Sequence, residues 1–320
     1  MTLKAPFAYF GGKSRVADHI WKRFGDIDHY VEPFFGSGAT LLAAPYVPKR
    51  ETVNDLDFFL VNVWRGIRAC PDKVAEHLMI PIIESDQNAR HLALMARKDA
   101  LRDSILADPD FCDPVLAAYW IYGKCCWIGS GFCSGKGRYA AQDGSIVPAE
   151  DGSGVNFQLP KLTGNGQGIL SFSFEDRILV LEALGSRLAR TRVVCGDWGR
   201  IVKPSVIMEG EMTGVLLDPP YIDGCQLNVY ANNSTVPAME VQAWCLENGG
   251  RENLRIALCG YDGEHNVLEE AGWSVFEWSA TGGFGNQGSG RGKDNRHRER
   301  IWFSPNCVVN ESSILEIFGV

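Results

Sequence analysis

The 320-residue sequence contains no run of about 18 apolar residues, so no segment reads as a membrane span. No apolar stretch follows the opening Met1-Thr2-Leu3-Lys4-Ala5-Pro6, which argues against a secretory leader and for a cytoplasmic protein. Cys-x-x-Cys pairs are missing as well. The ten cysteines form one cluster, Cys125, Cys126 and Cys133, with no fourth ligand at zinc spacing nearby. They read as reduced, packed thiols, and no metal site is expected. Positive charge is not in excess, since the formal net charge is −8. That argues mildly against nucleic acid as a partner, but local patches and not the total decide docking. Acids are locally absent too: none lies between Asp113 and Asp143, whereas Lys124, Lys136 and Arg138 do.

Among the motifs that are present, Asp218-Pro219-Pro220-Tyr221 organises the rest. It follows Val215-Leu216-Leu217, an apolar run that reads as the end of a buried strand. Two prolines cannot continue a ladder, so the chain leaves the sheet there. In open α/β sheets, ligands bind outside the carboxyl ends of strands. An exocyclic amine of a nucleobase suits such a motif. Asp218 and the Pro219 carbonyl can accept its two N–H bonds and leave the lone pair aimed at an electrophile. Tyr221 offers a flat face for the base, its hydroxyl having no part in the reading. The base must be turned out of its duplex to arrive there.

The chain opens with Tyr9-Phe10-Gly11-Gly12-Lys13, whose paired glycines allow close backbone approach to a ligand. His29 to Leu42 then reads as strand, Gly36-Ser37-Gly38 turn and helix, the first βα unit of a nucleotide-binding sheet. This turn does not carry the dinucleotide fingerprint G-x-G-x-x-G. A second strand, 51–55, ends in Asp55 at the spacing where an acid meets ribose hydroxyls; capping a helix that begins near Leu56 is the other role open to it. From Cys70 to about Ile169 the βα rhythm stops. Helices are expected over 84–107 and 114–127, then a Gly-rich stretch with a possible hairpin at Asp143-Gly144. The rhythm resumes with a helix at 174–188 and strands ending at Asp197-Trp198, at Asp218 and near Tyr261. The basic run Arg291–Arg300, including Arg296, leads into a last strand, Ile301-Trp302-Phe303, and is placed to contact phosphates.

In this order, Tyr9–Lys13, Glu32-Pro33-Phe34-Phe35-Gly36-Ser37-Gly38, Asp55, Asp197, Asp218–Tyr221 and Arg298–Pro305, the sequence resembles the Dam-like DNA adenine methylases, phage-type members above all. The resemblance implies a class I methyltransferase (Rossmann-like) α/β fold: a seven-stranded mixed sheet with helices on both faces and the last strand antiparallel. Residues 1–69 and 170–320 would form the catalytic domain, and 70–169 an inserted helical target-recognition domain. It implies S-adenosylmethionine as methyl donor, held by Tyr9, Gly11, Gly12, Lys13, Glu32, Phe34, Phe35, Gly36, Ser37, Gly38, Asp55, Asp197 and Trp198. Lys13 would lie near the donor's carboxylate, Asp55 on its ribose and Asp197 on its adenine amine. Double-stranded DNA is the implied partner, touched by Lys124, Lys136, Arg138, Arg291 and Arg296; a cognate restriction nuclease stays open. The reaction would be direct in-line transfer to adenine N6. Trp127-Ile128-Gly129-Ser130-Gly131-Phe132 departs from the family's Asn-Gly loop, so the usual four-base target does not carry over. Residues alone leave two rivals: a methylase of RNA or of the cytosine amine, and a catalytically silent DNA-binding relative.

Overall fold

The computed structural model describes residues 3–7, 9, 12–79, 81–127, 132–133, 139–142, 145–148, 168–221, 236–278 and 298–309. Its strands are β1 (His29–Glu32), β2 (Arg50–Asp55), β3 (Tyr139–Gln142), β4 (Ser145–Pro148), β5 (Thr191–Cys195), β6 (Thr213–Leu217), β7 (Leu254–Tyr261), β8 (Ser274–Glu277) and β9 (Glu299–Phe303). The helices are α1 (Ala17–Phe24), α2 (Ala39–Leu42), α3 (Phe58–Ala69), α4 (Pro71–His77), α5 (Glu84–Ala107), α6 (Pro114–Cys126), α7 (Phe174–Leu188), α8 (Val236–Asn248) and α9 (Asn266–Glu270).

Seven strands form one sheet in the order β5-β2-β1-β6-β7-β9-β8. The first five are parallel, and β9 runs antiparallel to both β7 and β8. This is the seven-stranded mixed sheet of a class I methyltransferase, with its last strand antiparallel as expected. Both faces are covered, which explains why β6 is buried throughout and ends in the apolar run Val215-Leu216-Leu217. Val215 and Leu217 pack in one core with Ile256, Val241 and Leu268. Leu216 packs in the other, with Tyr30, Leu60 and Leu181. β3 and β4 pair antiparallel as a separate two-stranded sheet, Gln142 opposite Ser145; the expected turn residues Asp143-Gly144 lie outside the described residues.

Local signals set the helix ends. Asp113 accepts the Leu116 N–H at 2.9 Å and Pro114 sits just inside α6. Ser173 caps α7, with Glu175 and Asp176 in its first turn. α3 is capped by Asp57, whose carboxylate accepts from Phe59 N at 2.9 Å. Asp55 is therefore not the cap of this helix. α4, α5 and α6 share the core of α3 and α7: Leu116, Trp120 and Ile121 are buried beside Leu60, Ile67 and Leu184. The helical segment after α3 thus forms one wall against the sheet's helices.

The strand order reverses between β1 and β6. From β1 the chain proceeds outward to β2, and β5 lies beyond it, whereas β6 leads to β7 on the opposite side. A crevice opens at the carboxyl ends of two such strands.

Candidate active site

The crevice holds one pocket, lined by residues that follow β1, β2, β5 and β6. After β1 the backbone turns at Gly36 (φ 50°) and Gly38 (φ 67°), the left-handed region that side chains disfavour. A Cβ on Gly36 would stand 2.8 Å from the Tyr9 ring, and one on Gly38 2.7 Å from the Phe35 ring. Glycine is required at both on two counts. Asp55, ending β2, accepts the Gly36 N–H at 2.9 Å and the Asp57 N–H at 2.9 Å, which ties the two strand ends together. The Asn54 amide reaches the Pro33 and Gly196 carbonyls at 3.0 and 2.9 Å and pins the ends of β1 and β5 to β2.

Burial shapes the titration of these acids. It pushes Asp55 up to about 6, with the charge of Asp57 adding to it. Glu32, 4% exposed, accepts the Tyr30 hydroxyl at 3.0 Å, and burial raises its pKa well above the carboxylate range. Asp197 is exposed and caps a one-turn 3-10 helix through the Gly199 N–H; Trp198, next to it, lies 6.3 Å from Phe34 with the rings 24° from parallel.

At the end of β6 the side chains converge. Lys13 Nζ meets Asp218 Oδ2 at 2.8 Å although 205 residues separate them. Lys13 is 3% exposed, and burial works against its charge, yet Asp218 and Glu299 hold its pKa well above the usual range. The Tyr221 hydroxyl lies 3.0 Å from Asp218 Oδ1 and 3.0 Å from Glu299 Oε2. Its ring meets Tyr261 edge-on at 4.6 Å. The hydroxyl, given no part by the sequence reading, thus touches the central acid.

The predicted residues divide into three groups. Tyr9, Gly12, Lys13, Glu32, Phe34, Phe35, Gly36, Ser37, Asp55, Asp197, Trp198, Asp218 and Pro220 all line the one pocket, with Gly38 in the adjoining turn and Pro219 buried behind. Lys124, expected on DNA, lines the same pocket, because α6 packs on α3 and ends there. Its ammonium lies 4.7 Å from the Tyr9 ring centre and 4.8 Å from that of Trp120. Burial lowers its pKa, with Asp57 and Asp55 opposing. Gly11, Lys136, Arg138, Arg291 and Arg296 lie outside the described residues. Glu299, Asn54 and Trp120 are not among the site residues expected from the sequence. A buried acid opening a strand that closes with Ile301-Trp302-Phe303 is the available signal for Glu299.

Residues 9–127 match the family described as D12 class N6 adenine-specific DNA methyltransferase. The chain is also similar to the type II methyltransferase M.MjaIII of Methanocaldococcus jannaschii, 24% identical over 236 residues, 69% of this chain and 70% of the relative. Fold, motif order and these matches define an enzyme, an adenine-specific DNA methyltransferase. Within that class the matches are consistent with the Dam-like DNA adenine methylases, which the motif order resembles. Its substrate is DNA. Among the described residues no helix is long and apolar enough to cross a membrane, and no three His, Cys, Asp or Glu side chains form a group that could hold a metal ion.

Proposed function

We propose that the methyl donor is S-adenosylmethionine and that the acceptor is the N6 amine of an adenine turned out of double-stranded DNA. The observation that carries this reading is the meeting of Asp218 with the glycine turn and Asp55 at one switch point of the sheet. The pocket suits that donor. Asp55, Asp57, Asp197 and Asp218 line it, against a ligand with sulfonium and ammonium charges. The Gly36 and Gly38 turn leaves room for the Tyr9 and Phe35 rings that line the pocket, and Phe34 with Trp198 offers aromatic surface for the donor's purine. When bound, the donor supplies an activated methyl group for direct in-line transfer.

The chain's own residues do the rest. Asp218 and the Pro219 carbonyl would accept the two N–H bonds of the amine, freeing its lone pair, and Asp218 would face the positive charge that grows on that nitrogen. Tyr221 and Pro220 would bound the turned-out base. Holding the amine in one orientation removes much of the entropic barrier. Asp55 would take the ribose hydroxyls and Asp197 the donor's adenine amine, with Tyr9, Gly11, Gly12, Phe35 and Ser37 completing the cradle. Lys13 has its ammonium on Asp218, so we assign it the orientation of that carboxylate. Residues 70–169 would recognise the target, although their helices α4, α5 and α6 share the core of α3 and α7, with Lys136, Arg138, Arg291 and Arg296 on phosphates. Action in the cytoplasm, alone or beside a restriction nuclease, fits the same reading.

Calorimetry with S-adenosylmethionine tests the donor half. Asp55→Ala is expected to weaken binding by about 1.5–3 kcal/mol, the scale of a charge-assisted hydrogen bond. The Asp55 carboxyl is ionised above its value of about 6 and protonated below it, so wild-type affinity should fall as pH drops through that point. Asp55→Asn should remove that dependence. Unchanged affinity in a folded Asp55→Ala would reduce Asp55 to a brace for Gly36.

A further inference from the structure

β9 pairs antiparallel with β7, Glu299 opposite Tyr261, so the first residue of β9 arrives at the carboxyl edge where β6 ends. Glu299 is 7% exposed there. Its Oε2 lies 3.0 Å from the Tyr221 hydroxyl, which lies 3.0 Å from Asp218 Oδ1, while Asp218 Oδ2 holds Lys13 at 2.8 Å. A phenol carries one hydrogen and an ionised carboxylate none. The hydroxyl can therefore donate fully to one acid only. Its contact with the other is a hydrogen bond if that acid brings its own proton. The Lys13 ammonium sits on Asp218, which leaves the proton to Glu299.

We propose that Glu299 is a positioning residue that keeps a proton, donates it to the Tyr221 oxygen, and so turns the hydroxyl hydrogen onto Asp218. The carboxylate is then fixed at both oxygens, by Tyr221 on one and Lys13 on the other. Its remaining lone pairs are held in one direction toward the amine. A mobile carboxylate would lose that direction, and orientation carries much of the rate. Burial supports the assignment, since it raises the pKa of Glu299, with Asp218 and Glu264 adding and Lys13 and a hydrogen bond donated by Tyr221 opposing. Among the described residues, the charged and titratable groups around Glu299 include Lys13 from the N-terminal segment, Asp218 and Tyr221 after β6, Cys259 on β7, and Tyr261 and Glu264 at its end. Arg298 precedes it and lies over the Tyr261 ring.

This inference rests on the reading of Asp218 as the amine acceptor. Glu299→Gln replaces the proton with an amide donor and should methylate DNA within a few-fold of wild type. Glu299→Leu removes the donor and should lose about tenfold to a hundredfold in rate, with S-adenosylmethionine affinity nearly unchanged. The wild-type rate should fall as pH rises through the raised pKa of Glu299, and Glu299→Gln should lack that fall. Infrared spectra of the protein without donor or DNA should contain, beside any band of the buried Glu32, a protonated carboxyl band that Glu299→Gln lacks. The proposal is overturned if Glu299→Gln is as slow as Glu299→Leu, if it retains the alkaline fall, if Glu299→Leu keeps wild-type rate, or if the infrared band is shared. Should Glu299→Leu fail to fold, the pH profile and the band of Glu299→Gln decide. Asp218→Asn run alongside separates the two ideas: an active Asp218→Asn sinks the amine-acceptor reading, whereas the infrared band reports the Glu299 proton independently.

Discussion

Asp218→Ala is expected to abolish methyl transfer while leaving S-adenosylmethionine affinity within a few-fold of wild type. The reason lies in where the carboxylate sits. It ends β6, where two prolines take the chain out of the sheet, and it lines the pocket with its two oxygens held by Lys13 and Tyr221. Removing a group aimed at developing charge costs about a hundredfold to a thousandfold in comparable sites. The donor's ribose and purine would meet other residues, so binding should survive. Alanine also strips Lys13 of its closest counter-ion, so some of the loss could come from stability. Asp218→Asn keeps shape and volume and controls for this. Single-turnover methylation beside calorimetry separates the effects, and near-wild-type turnover by Asp218→Asn would remove Asp218 from the chemistry.

Lys13→Met should be nearly as damaging, for a different reason. Lys13 is 3% exposed, and its partner Asp218 is 19% exposed. Breaking a buried pair from one side strands the other charge and typically costs about 3–5 kcal/mol. Thermal melting should therefore show a large drop for Lys13→Met. The double variant Lys13→Met/Asp218→Asn should melt higher than the sum of the two single losses predicts, because it removes both charges. It should remain inactive. Strictly additive losses would mean that the pair is not coupled in solution.

Much of this arrangement is legible in the residues before any coordinates. Helices at 84–107 and 114–126 follow from apolar spacing and from Asp113-Pro114 at the second start. The alternation of Val215, Leu216 and Leu217 between two cores is written as an unbroken apolar run. What periodicity does not encode is sheet order. Lys13 meets Asp218 only because the N-terminal segment crosses the carboxyl edge near β6, and Glu299 reaches Tyr221 only because β9 runs antiparallel beside β7. Lys124 illustrates the same gap. A lysine in an acid-free stretch suggests nucleic acid, but the packing of α6 on α3 turns its ammonium toward Tyr9 and Trp120 in the pocket. Asp55 and Asp57 stand two residues apart, and strand-to-helix geometry alone decides that the second caps α3 and the first braces Gly36.

The central claim is that this site methylates the N6 amine of adenine in DNA. Its most direct test is mass spectrometry of nucleosides from unmethylated duplex DNA incubated with the purified protein and isotope-labelled S-adenosylmethionine, with Asp218→Asn in parallel. The account predicts label in N6-methyldeoxyadenosine with the wild-type protein and none with the variant. Label in N4-methyldeoxycytidine, or no labelled nucleoside from a protein that binds the donor, would contradict it.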